Sequence, residues 1–138
     1  MKRIELTVLY VEDNITTREI TARALERMFQ QVWVGVNGAE GLAMYDKFKP
    51  DIIITDVAMP ELDGISMAKT ILNRNPGAVI ILLSAANEIT KVEDALCAGV
   101  TGYLIQPVMI DDLERLLRRC VDKVAWQRIA ARLMTTRR

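Results

Sequence analysis

The sequence predicts an α/β domain in which five parallel strands form one sheet between two helix layers. Three observations predict it. Short aliphatic runs at Val8–Val11, Ile52–Thr55, Val79–Leu83 and Tyr103–Ile105 are nearly continuous, the pattern of strands buried on both faces. Stretches of three-four apolar periodicity separate them, and right-handed crossovers make a parallel sheet between helices the natural arrangement. Polar residues then stand where the runs end: Glu12-Asp13, Asp56, Ser84 and Gln106.

The first strand, about Leu6–Val11, runs into Glu12-Asp13-Asn14. A helix follows from about Thr16 to Gln30, with Ile20, Ala24, Leu25 and Met28 on its apolar face and Thr16 with Glu19 as a capping box. Val32–Val36 alternates as a strand, and Asn37-Gly38 marks the turn after it. Ala39–Phe48 reads as a helix stopped by Pro50, because the residue before a proline disfavours helical geometry. Asp51–Thr55 is the third strand and delivers Asp56 into the loop Val57–Gly64. A helix over Ile65–Asn73 and the turn Asn75-Pro76-Gly77 lead to the strand Val79–Leu83. Thr90 and Glu93 cap a short helix ending at Gly99, Gly102–Ile105 is the fifth strand, and Pro107 precedes a long helix from about Ile110.

At 138 residues, 51% apolar and 26% charged, the chain suits one globular domain with a substantial core. Net charge is zero, but it is unevenly distributed. Residues 1–109 hold ten Lys/Arg against fourteen Asp/Glu, and residues 110–138 hold eight against four. Cys97 and Cys120 lack metal-like spacing and are expected to stay reduced and pack as small apolar residues. No run approaches the roughly eighteen apolar residues of a membrane span, and the N-terminus reads as a strand rather than a signal peptide, so a cytoplasmic location is expected. The chain has no histidine, which excludes a Ser-His-Asp triad, a histidine metal ligand and a phosphohistidine formed within it.

In an open parallel sheet, ligands bind beyond the carboxyl ends of the strands. One acidic residue there would be a solvated loop residue; Glu12, Asp13 and Asp56 together point to a site. Crowded carboxylates repel and hold protons unless a cation neutralises them, and an all-oxygen donor set favours a hard divalent ion, Mg²⁺. A carboxylate beside such an ion can attack phosphorus and become an acyl phosphate. Ser84 could donate its hydroxyl to a phosphoryl oxygen, or be satisfied by nearby backbone.

Taken in order and spacing, these motifs carry a family likeness. They are Val8–Asn14, Asp51–Asp56 with Met59–Gly64, Leu83-Ser84-Ala85 and Ala98–Pro107. Over about residues 4–122 the chain resembles a response-regulator receiver domain of two-component signalling. The resemblance implies a flavodoxin-like (βα)5 fold with strand order 2-1-3-4-5. It implies Asp56 as phosphoacceptor, with Mg²⁺ held by Asp13, Glu12, Asp56 and the backbone carbonyl of Ala58. Ser84 and Tyr103 would form the switch pair, and the Gln106-Pro107 peptide would be cis. The implied donor is a phosphohistidine on a partner histidine kinase or phosphotransfer protein. Such a chain accepts a phosphoryl group and is not an enzyme in the ordinary sense.

One position departs from the family pattern: Gln106 stands where a lysine is usual. Glu12, Asp13 and Asp56 with one Mg²⁺ sum to −1, and an acyl phosphate takes the site to about −2. A lysine would restore one unit, and its loss is worth about 1–3 kcal/mol, the range of a charge-assisted hydrogen bond. Phosphorylation that is slower, or more weakly coupled to Ser84 and Tyr103, is therefore expected. The alternative is a pseudo-receiver that binds partners or dimerises without phosphate. An aspartate-nucleophile phosphatase is disfavoured because Ala58 occupies the place of its second acid, and no glycine-rich nucleotide motif is present.

In the last helix, Ile110, Leu113, Leu117, Cys120 and Val124 form a stripe that should dock on the sheet. Beyond it the apolar face moves to Trp126, Ile129, Ala130 and Leu133, with Arg128 and Arg132 alongside. The domain is expected to span 1–122, with 123–138 extending the helix toward a homodimer partner or an output domain; a frayed terminus is the alternative. Nucleic-acid binding is not expected, because no helix-turn-helix or aromatic platform accompanies the basic residues.

Overall fold

The computed structural model describes residues 2–136. The elements are β1 (Ile4–Val11), α1 (Ile15–Met28), β2 (Phe29–Gly35), α2 (Gly38–Phe48), β3 (Ile52–Asp56), α3 (Gly64–Arg74), β4 (Val79–Ser84), a 3₁₀ turn (Ala86–Glu88), α4 (Ile89–Ala98), β5 (Gly102–Ile105) and α5 (Ile110–Thr136). All strand pairs are parallel, in the order β2-β1-β3-β4-β5. This is the expected flavodoxin-like sheet.

The continuous apolar runs are explained by burial on both faces. Leu9, Val11, Ile53, Ile80 and Leu82 point to a core completed by Met67, Ala68 and Ile71 of α3 and by Val92 of α4. Val8, Tyr10, Ile52, Ile54, Val79 and Ile81 point the other way, onto Leu25 of α1 and Leu113, Leu117, Cys120 and Val124 of α5. Two helix layers thus enclose the sheet. Every residue of β3 and β4 is buried, which fixes the depth of the carboxyl ends where the site forms.

Several local expectations are corrected. Asn14, not Thr16, caps α1, its side chain accepting from the Thr17 N–H at 3.0 Å. Asn37 is not a free turn but the cap of α2, accepting from the Glu40 N–H at 2.8 Å. Asx side chains at these positions satisfy donors that the first helical turn leaves open. Ile20 is exposed, because Ala22, Ala24 and Leu25 form the buried face of α1 while Ile20 overhangs the cleft described below. The fourth helix starts from a 3₁₀ turn with Glu88 in the cap position, so Thr90 and Glu93 lie inside it. Cys97 is exposed on α4 while Cys120 is buried.

Helix α5 has 27 residues and, at about 1.5 Å per residue, extends roughly 40 Å. Its docked half buries Leu113, Leu117, Cys120 and Val124, but Ile110 at its start is partly exposed. Past Val124 it stays tied to the body: Gln127 Nε2 donates to Gly77 O at 2.8 Å, and Arg128 Nη2 to Asp51 Oδ1 at 2.8 Å. Trp126, Ile129, Leu133 and Met134 face solvent. Residues 137 and 138, the end of the expected extension, lie outside the described residues.

Candidate functional site

Parallel pairing in register carries the ends of β1 and β3 to one edge of the sheet, Val11 opposite Thr55. The next residues, Glu12 and Asp56, are both buried, whereas Asp13 is exposed. Carboxylate oxygens of Glu12, Asp13 and Asp56 lie within 4.8 Å of one another. They line a cleft of about 880 Å³ together with Asn14, Thr17, Ile20, Thr21, Leu83, Gln106, Pro107, Val108 and Ile110.

Backbone geometry fixes each acid. The Glu12 N–H donates to Gly35 O at 3.1 Å, and Glu12 Oε2 accepts from the Asn14 N–H at 3.2 Å. Arg18 reaches back from α1 and donates from Nη1 to Glu12 O at 3.0 Å and Asp13 O at 3.4 Å. Asp56 is followed by a tight loop: the Val57 N–H donates to Leu83 O at 3.0 Å, and the Gly64 N–H returns to Val57 O at 2.8 Å. Gln106 Nε2 donates to Asp56 Oδ1 at 3.2 Å from the far strand. The Gln106-Pro107 peptide is cis.

The electrostatics follow from crowding. Burial pushes the Glu12 carboxyl up to about 8, with the Asp56 charge adding to the effect and the Asn14 N–H opposing it. Burial likewise raises Asp56; the charges of Asp13 and Glu88 reinforce this, and contacts with Glu12 and the Val57 backbone oppose it. Without a cation Glu12 therefore keeps its proton at neutral pH, and Asp56 ionises less readily than a solvated aspartate. The donor set is all oxygen, partly buried and net negative, which fits a hard divalent cation such as Mg²⁺. Glu12, Asp13 and Asp56 are the side chains that could hold it.

The remaining sequence-derived residues are arranged less simply. Ala58 is exposed and lines an adjoining depression of about 580 Å³, with Met59, Pro60, Lys69, Glu88, Lys91 and Asp94. Ser84 is fully buried at the end of β4, and its hydroxyl donates to Ala85 O at 2.8 Å. In this state, then, backbone satisfies it. Tyr103 is half-buried on β5, packed against the α3/α4 side of the core and away from the cleft wall. Sequence reasoning missed Arg18 and Glu88. Arg18 acts through backbone carbonyls five and six residues earlier, which no motif signals. Glu88 lies only four residues beyond a strand end, and that proximity was the available clue.

Comparisons with known proteins agree with the architecture. The family model for the response regulator receiver domain matches residues 8–118. The chain is 30% identical over 115 residues to a chemotaxis protein CheY of Listeria monocytogenes, covering 83% of this chain and 97% of that protein. It is 29% identical to the transcriptional regulatory protein CitT of Bacillus subtilis over 118 residues, 84% of this chain but 52% of that protein. The solved structure of chemotaxis protein CheY4 of Vibrio cholerae superposes with a TM-score of 0.78 at 28% identity, covering 85% of this chain and 99% of that one. Receiver domains are signalling modules that carry an acidic Mg²⁺ pocket, are typically phosphorylated by histidine kinases and are often joined to output domains. Sheet order, acidic cleft and family match lead to one conclusion: this chain belongs to the response regulator receiver domain family.

Proposed function

We propose that the chain is a phosphorylation-controlled receiver in which Asp56 accepts a phosphoryl group from a phosphohistidine on a partner histidine kinase or phosphotransfer protein. The observation that carries this reading is the gathering of the Asp56, Glu12 and Asp13 carboxylates in one cleft at the carboxyl edge of the sheet. Mg²⁺, held by Glu12, Asp13, Asp56 and the Ala58 carbonyl, would offset the charge on the phosphoryl oxygens. Asp56 oxygen attacks phosphorus, the bond from phosphorus to the donor imidazole breaks, and the imidazole nitrogen keeps the electron pair. The chain turns over no separate substrate; water later removes the group from Asp56. Ser84 and Tyr103 act as the switch pair, Ser84 exchanging its present bond to Ala85 O for a phosphoryl oxygen. The setting is the cytoplasm.

Gln106 already reaches Asp56 and is the residue from this strand nearest the transferred group, but its amide brings no charge. Phosphorylation is accordingly slower, or its coupling weaker, than with lysine in that place. The domain proper spans 1–122. Trp126, Ile129 and Leu133 on the exposed part of α5 would meet an output domain or a second copy of the chain. A second reading, a pseudo-receiver that works as a phosphorylation-independent binding or dimerisation module, draws on the same neutral amide.

Incubation with acetyl phosphate and Mg²⁺ separates the two. The expected result is a mass increase of one phosphoryl group, absent in Asp56→Asn and absent without the metal. A wild-type chain that stays unmodified would favour the pseudo-receiver. Gln106→Lys should raise the phosphorylation rate or the lifetime of the adduct about 5- to 150-fold, corresponding to about 1–3 kcal/mol of charge-assisted bonding. Rates and lifetimes matching wild type would show that the missing lysine has no effect.

A further inference from the structure

The residues that follow Ser84 are tied in a compact knot. Ser84 Oγ donates to Ala85 O at 2.8 Å, and the Glu88 N–H donates to the same oxygen at 3.0 Å. In return, Glu88 Oε1 accepts from the Ala85 N–H at 2.8 Å. Both donors at this junction, the Ser84 hydroxyl and the Ala85 amide, are therefore committed to local partners. The junction lies beside the acceptor: Asp56 pairs with Leu83, so Ser84 and Ala85 are the next two residues along the neighbouring strand. The Gln106 N–H bonds to Ser84 O at 2.8 Å and anchors the junction from the other side.

Glu88 is negatively charged and its charge is felt at Asp56. It also borders the depression lined by Lys69, Lys91 and Asp94. Lys91 stands about one helical turn further along α4, and Lys69 of α3 lines the same depression. The structure shows the Ala85 bond, with both lysines lining the same depression as Glu88.

We propose that Glu88 is a latch: its carboxylate, bound to the Ala85 N–H, holds the β4–α4 junction at rest, and the negative charge gained by Asp56 on phosphorylation drives it off toward the lysines. Release frees the Ala85 N–H and loosens the turn that restrains Ser84, so both donors can turn to the phosphoryl oxygens. The latch rests on Asp56 being the phosphoacceptor. It adds the device by which this chain, without a lysine at position 106, links the acceptor to α4: repulsion of an anion in place of attraction of a cation.

Two variants separate the hydrogen bond from the charge. Glu88→Ala removes both, and Glu88→Gln keeps an oxygen acceptor without charge. In the unphosphorylated protein, the Ala85 amide should exchange with solvent about tenfold or more faster in Glu88→Ala, as expected when its bond is lost, and at the wild-type rate in Glu88→Gln. After acetyl phosphate and Mg²⁺, the Ile89 and Val92 methyl resonances should move in wild type. In Glu88→Gln they should stay at their unphosphorylated positions although the mass spectrum shows the adduct. Unchanged Ala85 exchange in Glu88→Ala, or a full methyl response in Glu88→Gln, overturns the latch alone. Absence of the adduct in the wild-type chain overturns the acceptor reading, and the opening step with it.

Discussion

Without a divalent cation the protein should lose about 2–4 kcal/mol of stability as the pH rises from about 4.5 to about 8, and Mg²⁺ should restore it. Glu12 dominates the effect. Its carboxyl titrates near 8 in the fold against 4.5 when solvated, because burial comes first and the Asp56 charge adds to it. Between those values the unfolded chain has given up a proton that the folded chain retains. The unfolded state then binds fewer protons, so stability falls with rising pH. The favourable contribution is complete below about 4.5 and gone above about 8. At ~1.4 kcal/mol per pH unit the whole interval would amount to nearly 5 kcal/mol, and the coupling of Glu12 to Asp56 reduces what one group contributes.

Metal binding removes the cause of the slope, since the cation stabilises the charged forms that burial disfavours. Thermal unfolding at pH 5 and pH 8, with chelator or with millimolar Mg²⁺, should show a metal-induced rise in Tm of about 5–10 °C at pH 8 and little at pH 5. Asp56→Asn should raise the metal-free Tm at pH 8, because a carboxamide occupies the same space without a charge. A Tm that ignores Mg²⁺ at both pH values would contradict a cation site formed by these three acids.

Gly64→Ala should destabilise the fold by about 3 kcal/mol or more and disorganise the acceptor as well. A Cβ at this position would lie 2.0 Å from Asp56 O, 2.9 Å from Asp56 C and 3.1 Å from Thr55 Oγ1. Two of these are backbone atoms that no rotamer change can withdraw. Gly64 is also the first residue of α3, where Asp63 caps the helix by accepting from the Ser66 N–H at 2.8 Å, and its own N–H closes the loop onto Val57 O. Relieving the clash therefore means moving either the helix start or the peptide that carries Asp56. Gly77→Ala is the control, because its nearest neighbours would be 3.5 and 3.7 Å away. Denaturant unfolding should place Gly77→Ala within about 0.5 kcal/mol of wild type. If Gly64→Ala unfolds at the same midpoint, the close approach is not what holds the loop.

The strands were the most legible part of the sequence. Ile52–Thr55 and Val79–Leu83 are aliphatic without alternation because both sheet faces are covered, and residues at their ends announced the acidic edge. Strand order was not visible in those runs, since any permutation of buried strands has the same pattern; it came from the family resemblance. Helix starts were misread where two polar residues compete. Asn14 reaches the Thr17 N–H, so Thr16 is left inside the helix, and spacing alone does not decide between them. Ile20 looked like core because it shares a helical face with Ala24, yet it is exposed and lines the cleft while Ala22, Ala24 and Leu25 carry the buried face. The acids of the site were evident as strand-end residues. The ties of Arg18 to Glu12 O and Asp13 O, and of Glu88 to the Ala85 N–H, were not, because backbone groups are their partners.

Asp51 gives the molecule a mechanical axis. It immediately precedes β3 and accepts from Arg128 on the protruding part of α5, and from the Thr7 N–H at 2.9 Å. Asp56 closes the same strand about 17 Å away, at some 3.3 Å per residue. The root of the rod and the seat of the chemistry are thus opposite poles of one stiff spoke, buried from Ile52 to Asp56. Anything fused past the helix is presented at the pole remote from the phosphate donor, so a kinase and an effector need not compete for room on the same side of the domain.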